Sequence, residues 1–303
     1  MSDRTRTALS ALLAAAWSIA GATSGAWPAQ AETVSFAPHR AVYEITLARS
    51  TAGSGVSDMT GRMVYELTGS ACEGFTQNMR FVTRSSNSEG AETINDLRTS
   101  SWEETAGKRL RFSSTQYQND VIAEASQGDA SRDKAASSDA VDAAANPPTN
   151  PAVSVDLARP AKKQVKLPTG VYFPMQHAIA LIDAARGGKT LVSANLYDGS
   201  EKGEKYYATT AVIGKKVEPG AVANAASLKS AARLAGIASW PMTISYFDTG
   251  KDKQDSLPAY ELSFRYFENG VTNDLKIDYG EFALQGEMKE LELLPASKCN
   301  AAP

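Results

Sequence analysis

The chain has 303 residues, 43% of them hydrophobic, which is enough apolar material for one large domain or two smaller ones. Its 31 basic residues nearly balance its 34 acidic residues. This balance provides no basic field for nucleic acid and no strong field for an anionic membrane surface. We therefore expect no nucleic-acid partner.

Residues 1–31 have the three parts of a secretory signal peptide. Arg4 and Arg6 supply the positive start, an apolar run follows, and Ala29-Gln30-Ala31 is a small-x-small cleavage site. The alternative is a membrane anchor, but an apolar run of about 15 residues is shorter than the roughly 20 that a membrane span needs. We predict export to the periplasm, cleavage, and no transmembrane segment in residues 32–303.

After the signal peptide, apolar side chains recur at every second position, which is the pattern of half-buried β-strands. Strands joined by short turns are predicted at 38–47, 61–67, 75–84, 93–102 and 108–117. Consecutive strands with short connections form an antiparallel meander.

Residues 126–152 interrupt this pattern with many Ala, Ser, Asp and Asn residues and three prolines. Apart from Val141 the segment has no large apolar residue, so it cannot bury enough surface to offset the entropy of ordering. We predict a flexible surface insertion within one domain spanning 32–303. The alternative is a linker between two domains, which is less favoured because the strand pattern and the two cysteines extend across the segment.

One convincing helix is predicted at 174–186, starting at Pro174 and stopping at Gly187-Gly188. Its apolar stripe would cover one open face or mouth of the sheet. Weaker strands are predicted before it at 153–157 and 164–167. Further strands follow at 189–197, 205–213, 227–236 and 240–247, with a loop at 216–226.

Three strands are predicted in residues 257–299, joined first by the hairpin turn Asn269-Gly270. In the second of these strands, Val271, Leu275, Ile277 and Tyr279 share one face. The alternation changes phase in the third strand, so we predict a β-bulge at 288–290. The fold class is mainly β: a long antiparallel sheet with one main covering helix.

Two cysteines, Cys72 and Cys299, remain after cleavage, and an even count in an exported chain predicts a disulfide. Two buried thiols or a metal pair are the alternatives. Neither histidine stands at ligand spacing from a cysteine, which weakens the metal alternative. A bond between these cysteines requires the sheet to curl until its beginning and end are neighbours.

No catalytic motif is evident: the chain has no Gly-x-Ser-x-Gly, His-Glu-x-x-His or phosphate-binding glycine loop. His39 and His177 are the only histidines, and their positions favour structural roles over catalysis. We expect no catalytic residue, no metal site and no cofactor.

Aromatic residues on the apolar strand faces are the remaining candidates for a binding site. Packing in the core is the simpler role for each of them. The alternative is that some line a cavity or groove for an apolar ligand inside a curled sheet. The candidate ligand-lining residues are Tyr43, Tyr65, Phe81, Phe112, Phe264 and Tyr266.

The chain resembles the alphaproteobacterial EipB-like cell-envelope integrity family. The resemblance rests on residues 39–43 (HRAVY), 65–76 (YELTGSACEGFT) and 173–177 (FPMQH), and on Arg80, Trp102 and Cys299. It implies a periplasmic β-spiral with a disulfide matching Cys72–Cys299, a role in envelope maintenance under stress, and no established enzymatic activity. The spiral is similar to periplasmic lipoprotein carriers, a likeness of fold that transfers no ligand.

Three functional hypotheses follow. The first is a non-catalytic periplasmic protein, expected to be a monomer, that supports the envelope by binding an unidentified envelope protein or component. The second is a carrier or sensor of lipids or lipoproteins with helix 174–186 as a lid, which requires an apolar cavity. The third is a hydrolase of envelope polymers, which requires a histidine near a carboxylate or hydroxyl in a polar cleft.

Overall fold

The computed structural model describes residues 34–132, 150–220, 229–250 and 257–297. From Val34 onward the chain forms one compact unit. The predicted signal peptide and Cys299 lie outside the described residues. The strands are β1 His39–Ser50, β2 Asp58–Ser70, β3 Gly74–Ser86, β4 Glu92–Glu103, β5 Arg109–Gln118, β6 Val121–Arg132, β7 Val153–Arg159, β8 Lys163–Leu167, β9 Val171–Tyr172, β10 Leu191–Leu196, β11 Tyr207–Ile213, β12 Ser239–Asp248, β13 Tyr260–Phe267, β14 Thr272–Asp278 and β15 Phe282–Leu293, and the helices are α1 Pro174–Arg186 and α2 Lys229–Leu234.

All fifteen strands belong to one sheet, in the order β8-β7-β6-β5-β4-β3-β2-β1-β15-β14-β13-β12-β11-β10-β9. Nearly every strand pairs antiparallel with its neighbours in sequence, and the first strand pairs with the last. The two edge strands, β8 and β9, are also consecutive in the chain and are separated only by residues 168–170. A sheet whose edges are joined by three residues must curl, so the sheet is nearly closed like a barrel.

The open side of the sheet overlaps itself rather than meeting edge to edge. Phe173 and Tyr197, which flank β9 and β10, are buried together with the inward side chains of β5 and β7, including Phe112 and Val155. The ring centroids of Phe112 and Tyr197 are 5.7 Å apart, in an edge-to-face contact. This overlap gives the sheet the character of a spiral, and the predicted fold class is confirmed.

The predicted bulge at 288–290 is present in β15. Val42 of β1 pairs with Glu290, but its neighbour Tyr43 pairs with Met288, so Lys289 is the extra residue. The bulge lets Met288 and Leu291 both be buried despite their opposite parity. The predicted helix is also confirmed, with the bounds Pro174–Arg186.

The predicted insertion at 126–152 starts too early, because β6 continues to Arg132. The inward side chains of its second half are small: Ser126, Gly128 and Ala130. A Cβ on Gly128 would lie 2.9 Å from Cζ of Phe112, so only small residues fit beneath that ring. An apolar pattern search does not detect such a strand. Residues 133–149 lie outside the described part of the chain.

Two further predictions are wrong. Residues 227–236, predicted as a strand, contain helix α2, because the run is rich in Ala, Leu, Lys and Arg and has no β-branched residue. In β14 the predicted common face is broken. Asp274 has φ of +54°, the pairing with β13 shifts register there, and Thr272 instead of Val271 reaches the barrel interior.

Helix α1 lies across one end of the barrel and is held at both of its termini. Phe173, at its N-cap, makes no side-chain capping bond. The carboxylate of Glu103, at the end of β4, accepts hydrogen bonds from the backbone N–H groups of Met175 at 2.7 Å and Gln176 at 3.0 Å. At the other terminus, Nε of Arg186 lies 2.7 Å from Oε1 of Glu268, just after β13. The helix therefore bridges opposite sides of the barrel.

Glu103 is 1% exposed, and burial raises its pKa to about 7, even though both backbone hydrogen bonds act in the opposite direction. Arg132 supports the same cap indirectly, because its Nη2 donates to Oε1 of Gln176 at 2.6 Å and its guanidinium lies 4.4 Å from the ring centre of Phe173. A helix N-terminus carries a positive partial charge, which attracts negative groups. Here the negative group is Glu103, which belongs to β4 and not to the helix or the residues beside it.

The C-terminal ends of β2 and β15 lie close together, which bears on the predicted disulfide. Leu67 and Leu293 both pair with His39, from opposite sides of β1, so two strand spacings, about 10 Å, separate them. Cys72 is exposed in the turn after β2. Six extended residues span about 20 Å, so the segment after Leu293 is long enough for Cys299 to reach Cys72. The Cys72–Cys299 pairing stays a prediction.

Replacing Glu103 with Gln should change how stability depends on pH. The folded protein binds the Glu103 proton more tightly than the unfolded chain, where the pKa is near 4.5, so this group stabilises the fold below pH 4.5 and loses that effect as pH rises through 7. The free energy of unfolding is measured with urea at pH 5, 6, 7 and 8. As pH falls, its value for the original protein should rise relative to its value for Glu103→Gln. Glu104→Gln is the control, and identical pH slopes for the original protein and Glu103→Gln would contradict the assignment.

Removing the predicted disulfide should lower stability, by as much as about 5 kcal/mol in the chain-entropy treatment of so long a loop. We expect reductant to lower the melting temperature of the unmodified protein, and Cys72→Ser to melt at that lower temperature with or without reductant. If reductant leaves the melting temperature of the unmodified protein unchanged, the cysteines are not bonded.

Candidate functional site

The interior of the curled sheet contains a cavity of about 610 Å³. Small-molecule sites in proteins have volumes of about 300–1,000 Å³, so the cavity is large enough for a ligand. Its wall is formed by inward side chains of strands on both sides of the β1–β15 pair and, at one end, by helix α1.

All six residues predicted as ligand-lining lie on the cavity wall: Tyr43, Tyr65, Phe81, Phe112, Phe264 and Tyr266. Strand alternation places them there, because each belongs to the inward-facing set of its strand. Some also have structural contacts. The hydroxyl of Tyr43, for example, donates to the carbonyl oxygen of Thr272 at 2.7 Å. That any of the six contacts a ligand stays a prediction.

The wall has two chemically different sides. The side formed by β12 to β14 is aromatic and aliphatic, whereas β4 and β5 contribute small polar residues. Thr99 pairs with Ser114, and Ser101 pairs with Phe112, in matching inward positions. Apolar alternation does not identify these polar residues, and the run Thr99-Ser100-Ser101 has no alternation of its own that could have identified them.

The end of the cavity at helix α1 is closed and mainly apolar. Met175, Ala178 and Leu181 of the helix face the cavity there, together with Phe36 and Leu67. Polar side chains also reach this region, namely His177 of the helix and the hydrogen-bonded pair of Tyr65 and Gln77. The hydroxyl of Tyr65 donates to Oε1 of Gln77 at 3.1 Å, and Nε2 of Gln77 is buried without a hydrogen-bond partner. A ligand carbonyl is the kind of acceptor that this amide could bind.

The opposite end of the barrel is open. Gln116, Glu201 and Tyr279 line the cavity and are also exposed to solvent, so they mark a mouth. Part of the mouth is formed by the loop after β10, which crosses from Asp198 to Glu204 over the inside of β5 and β6. Oγ of Ser126 donates to the carbonyl oxygen of Gly199 in this loop. A Cβ on Gly199 would collide with the ring of Phe112, which shows how closely the loop packs.

His177 lines the cavity, but its contacts do not form a catalytic arrangement. The hydroxyl of Thr209 donates its one proton to the carbonyl oxygen of Ala194 at 3.0 Å. The hydroxyl can then only accept from Nε2 of His177, 3.2 Å away, so the imidazole cannot act as its base. Burial lowers the pKa of His177 to about 4, so the ring is neutral at pH 7.

His39 is 1% exposed and lies outside the cavity wall. Its Nδ1 is 2.8 Å from the carbonyl oxygen of Ala37, and its ring packs 5.6 Å from that of Tyr65. Neither histidine therefore meets the geometry that the hydrolase hypothesis requires. Over the described ranges, no group of three or more His, Cys, Asp or Glu side chains could hold a metal ion. Neither α1 nor any other helix described is long and apolar enough to cross a bilayer.

Comparison with known proteins agrees with the barrel-like fold. Residues 30–295 match the model of the EipB-like family. The cell envelope integrity protein EipB of Brucella abortus (strain 2308) is 35% identical over 279 residues, which is 92% of this chain and 90% of that protein. The crystal structure of a beta-barrel-like protein of the domain of unknown function DUF1849, from Brucella abortus, has a TM-score of 0.74 and 33% identity, and the match covers 87% of this chain and all of that one.

The family model and the long match at 35% identity agree with the resemblance seen in the sequence blocks around His39, Cys72 and Phe173. Neither relative's name assigns an enzymatic activity. The chain belongs to the EipB-like family.

Proposed function

We propose that this protein supports the integrity of the cell envelope by binding the apolar part of an envelope amphiphile in its barrel, without catalysing a reaction. The cavity of about 610 Å³ carries this proposal. A barrel filled by its own aromatic side chains would leave no room for a ligand. Here those aromatic side chains surround an open space instead.

The support for an envelope role comes from the relative named as a cell envelope integrity protein. The predicted signal peptide would deliver this chain to the periplasm, where amphiphiles of both membranes are accessible. Burying apolar tail surface is favourable at about 25 cal/mol per Å², so a lined apolar cavity is a sufficient driving force for tail binding.

The closed end at helix α1 supports tail binding over peptide binding. An acyl tail needs apolar contact without hydrogen bonds, and Met175, Ala178 and Leu181 offer that contact at the end of the cavity. Methionine side chains adapt to apolar ligands of varied shape. A peptide would instead bring several backbone N–H and C=O groups, and the Gln77 amide could bind its carbonyl groups but not its N–H groups.

Filling the cavity from helix α1 tests the proposal. Ala178→Phe places a ring in the cavity, whereas Ala180→Phe changes a residue of the same helix that is not on the cavity wall. We expect a strain lacking the gene to be hypersensitive to detergents and cell-wall antibiotics. Ala180→Phe should restore resistance and Ala178→Phe should not, although both proteins should melt cooperatively and be present at equal levels. Full rescue by Ala178→Phe would contradict a role for the cavity.

A further inference from the structure

The charged residues that line the cavity all have one sign of charge. Three carboxylates, from Glu124, Asp198 and Glu201, line the cavity, and no lysine or arginine does so among the described residues. None of the three carboxylates belongs to an ion pair in the described part of the chain. They differ in this from carboxylates such as Asp96 and Asp278, which form ion pairs with arginine.

Each carboxylate is held in place by one neutral donor. The backbone N–H of Lys202 donates to Oε1 of Glu124 at 3.2 Å, and that of Ser200 donates to Oδ1 of Asp198 at 2.9 Å. The hydroxyl of Tyr207 donates to Oε1 of Glu201 at 2.9 Å. These bonds position one oxygen of each group and leave the other available to a ligand.

Four tyrosine rings pack together beside these carboxylates. Tyr246 and Tyr260 are stacked with their ring centroids 4.4 Å apart, and Tyr207 meets both edge-to-face at 5.9 Å. The ring of Tyr279 lies 6.2 Å from that of Tyr260. All four rings are on the cavity wall. Tyrosine rings present a negative face, which attracts cations.

Polar atoms in this region lack the hydrogen bonds that buried groups normally make. Tyr246 is 7% exposed as a residue, and its hydroxyl makes no hydrogen bond to a described residue but is open to the cavity. Oγ of Ser200, between Asp198 and Glu201 in the chain, is buried and also unpartnered. These atoms are an observation independent of the charge, and they indicate that a polar group of a ligand belongs here.

The carboxylates and the tyrosines share one electrostatic environment. Burial raises the pKa of the Tyr246 phenol, and the charge of Asp198 raises it further. Burial likewise raises the pKa of Tyr207, followed by its hydrogen bond to Glu201 and the charges of Glu201 and Asp198. A further negative charge is therefore disfavoured at this mouth, and a positive charge would be stabilised.

We propose that the mouth of the cavity binds the ammonium headgroup of a zwitterionic or cationic lipid, with Asp198, Glu201 and the tyrosine rings as its ligands and the tail directed toward helix α1. This inference rests on the proposed function, because it assigns the headgroup end of the same amphiphile. Carboxylates and aromatic faces together recognise ammonium groups, whereas an anionic headgroup without a cation would meet three unpaired carboxylates.

The test compares two lipids that differ only in headgroup: one has choline, whose ammonium balances the phosphate, and the other has glycerol, which leaves the phosphate charge unbalanced. Lysophosphatidylcholine and lysophosphatidylglycerol with the same acyl chain, each below its critical micelle concentration, are titrated into the mature protein at one ionic strength. We expect lysophosphatidylcholine to bind at least about fivefold tighter, the size of one partly desolvated cation–π or charge contact. Free choline, as a third ligand, should bind far more weakly than the choline lipid, because it has no tail.

Two conservative variants test whether the preference for lysophosphatidylcholine arises from the mouth of the cavity. Asp198→Asn and Glu201→Gln keep shape and an acceptor oxygen but remove charge, and combining them should bring the affinity ratio of the two lipids close to one. Glu204→Gln is the matched control: it lies in the same loop, pairs with Lys163 at 2.7 Å and is not on the cavity wall, so the ratio should stay unchanged. Melting temperatures establish that the variants are folded.

The outcomes separate this inference from the function on which it rests. Equal binding of both lipids, or tighter binding of lysophosphatidylglycerol, would overturn the headgroup assignment and leave tail binding in place. Binding of neither lipid would overturn the proposed function itself. Free choline binding as tightly as the choline lipid would show that the ligand is a small ammonium compound, which also contradicts the lipid assignment.

Discussion

The antiparallel pairing of β1 with β15 is the constraint on which the rest of the structure depends. Every other neighbour in the sheet is also a neighbour in sequence, so without this pairing the chain would form two separate meanders, β1–β8 and β9–β15. With it, the two halves become one continuous sheet whose edges are consecutive strands. The bulge at Lys289 keeps β15 in register with β1 while burying both Met288 and Leu291. Curling, overlap and the enclosed space all follow from that one contact.

Fifteen strands also explain why the interior is not filled. A barrel of about eight strands is just wide enough for its own side chains to meet, and the enclosed space grows with strand number. Here part of the excess is occupied by protein: Phe173 and Tyr197 pack inward against β5–β8, and helix α1 closes one end. What remains is a cavity with an apolar closed end and a mouth lined with tyrosines and carboxylates. That gradient matches the polarity of a lipid.

Much of this architecture could be predicted from sequence because it depends on local alternation. Tyr260 to Tyr266, the helix at Pro174 and the phase change after Met288 all have short-range signatures. The inward aromatic residues named as candidates lie on the cavity wall. The signal failed where inward residues were small, as in β6, since Ser126, Gly128 and Ala130 carry no apolar pattern. It fails again at α2, where the helix propensity of a short Ala- and Leu-containing run outweighs the strand prediction.

The parts that give the site its chemistry depend on contacts between distant segments. Glu103 caps a helix that begins 71 residues later in the chain, and nothing near Glu103 in sequence indicates a partner for it. Asp198 and Glu201 lie in an ordinary-looking polar loop, and they become part of a mouth only because β10 and β11 bring that loop over β5 and β6. Sequence patterning identifies which side chains share a face of a strand. It does not identify contacts between distant segments, because these form only when the sheet closes.

Native mass spectrometry of the mature protein, released gently from its own cells, tests the central claim that the barrel holds an amphiphile. The account predicts a population whose mass exceeds that of the polypeptide by one lipid, which collisional activation removes and which Ala178→Phe lacks. A bare polypeptide mass that stays unchanged after incubation with envelope lipid extract would contradict it.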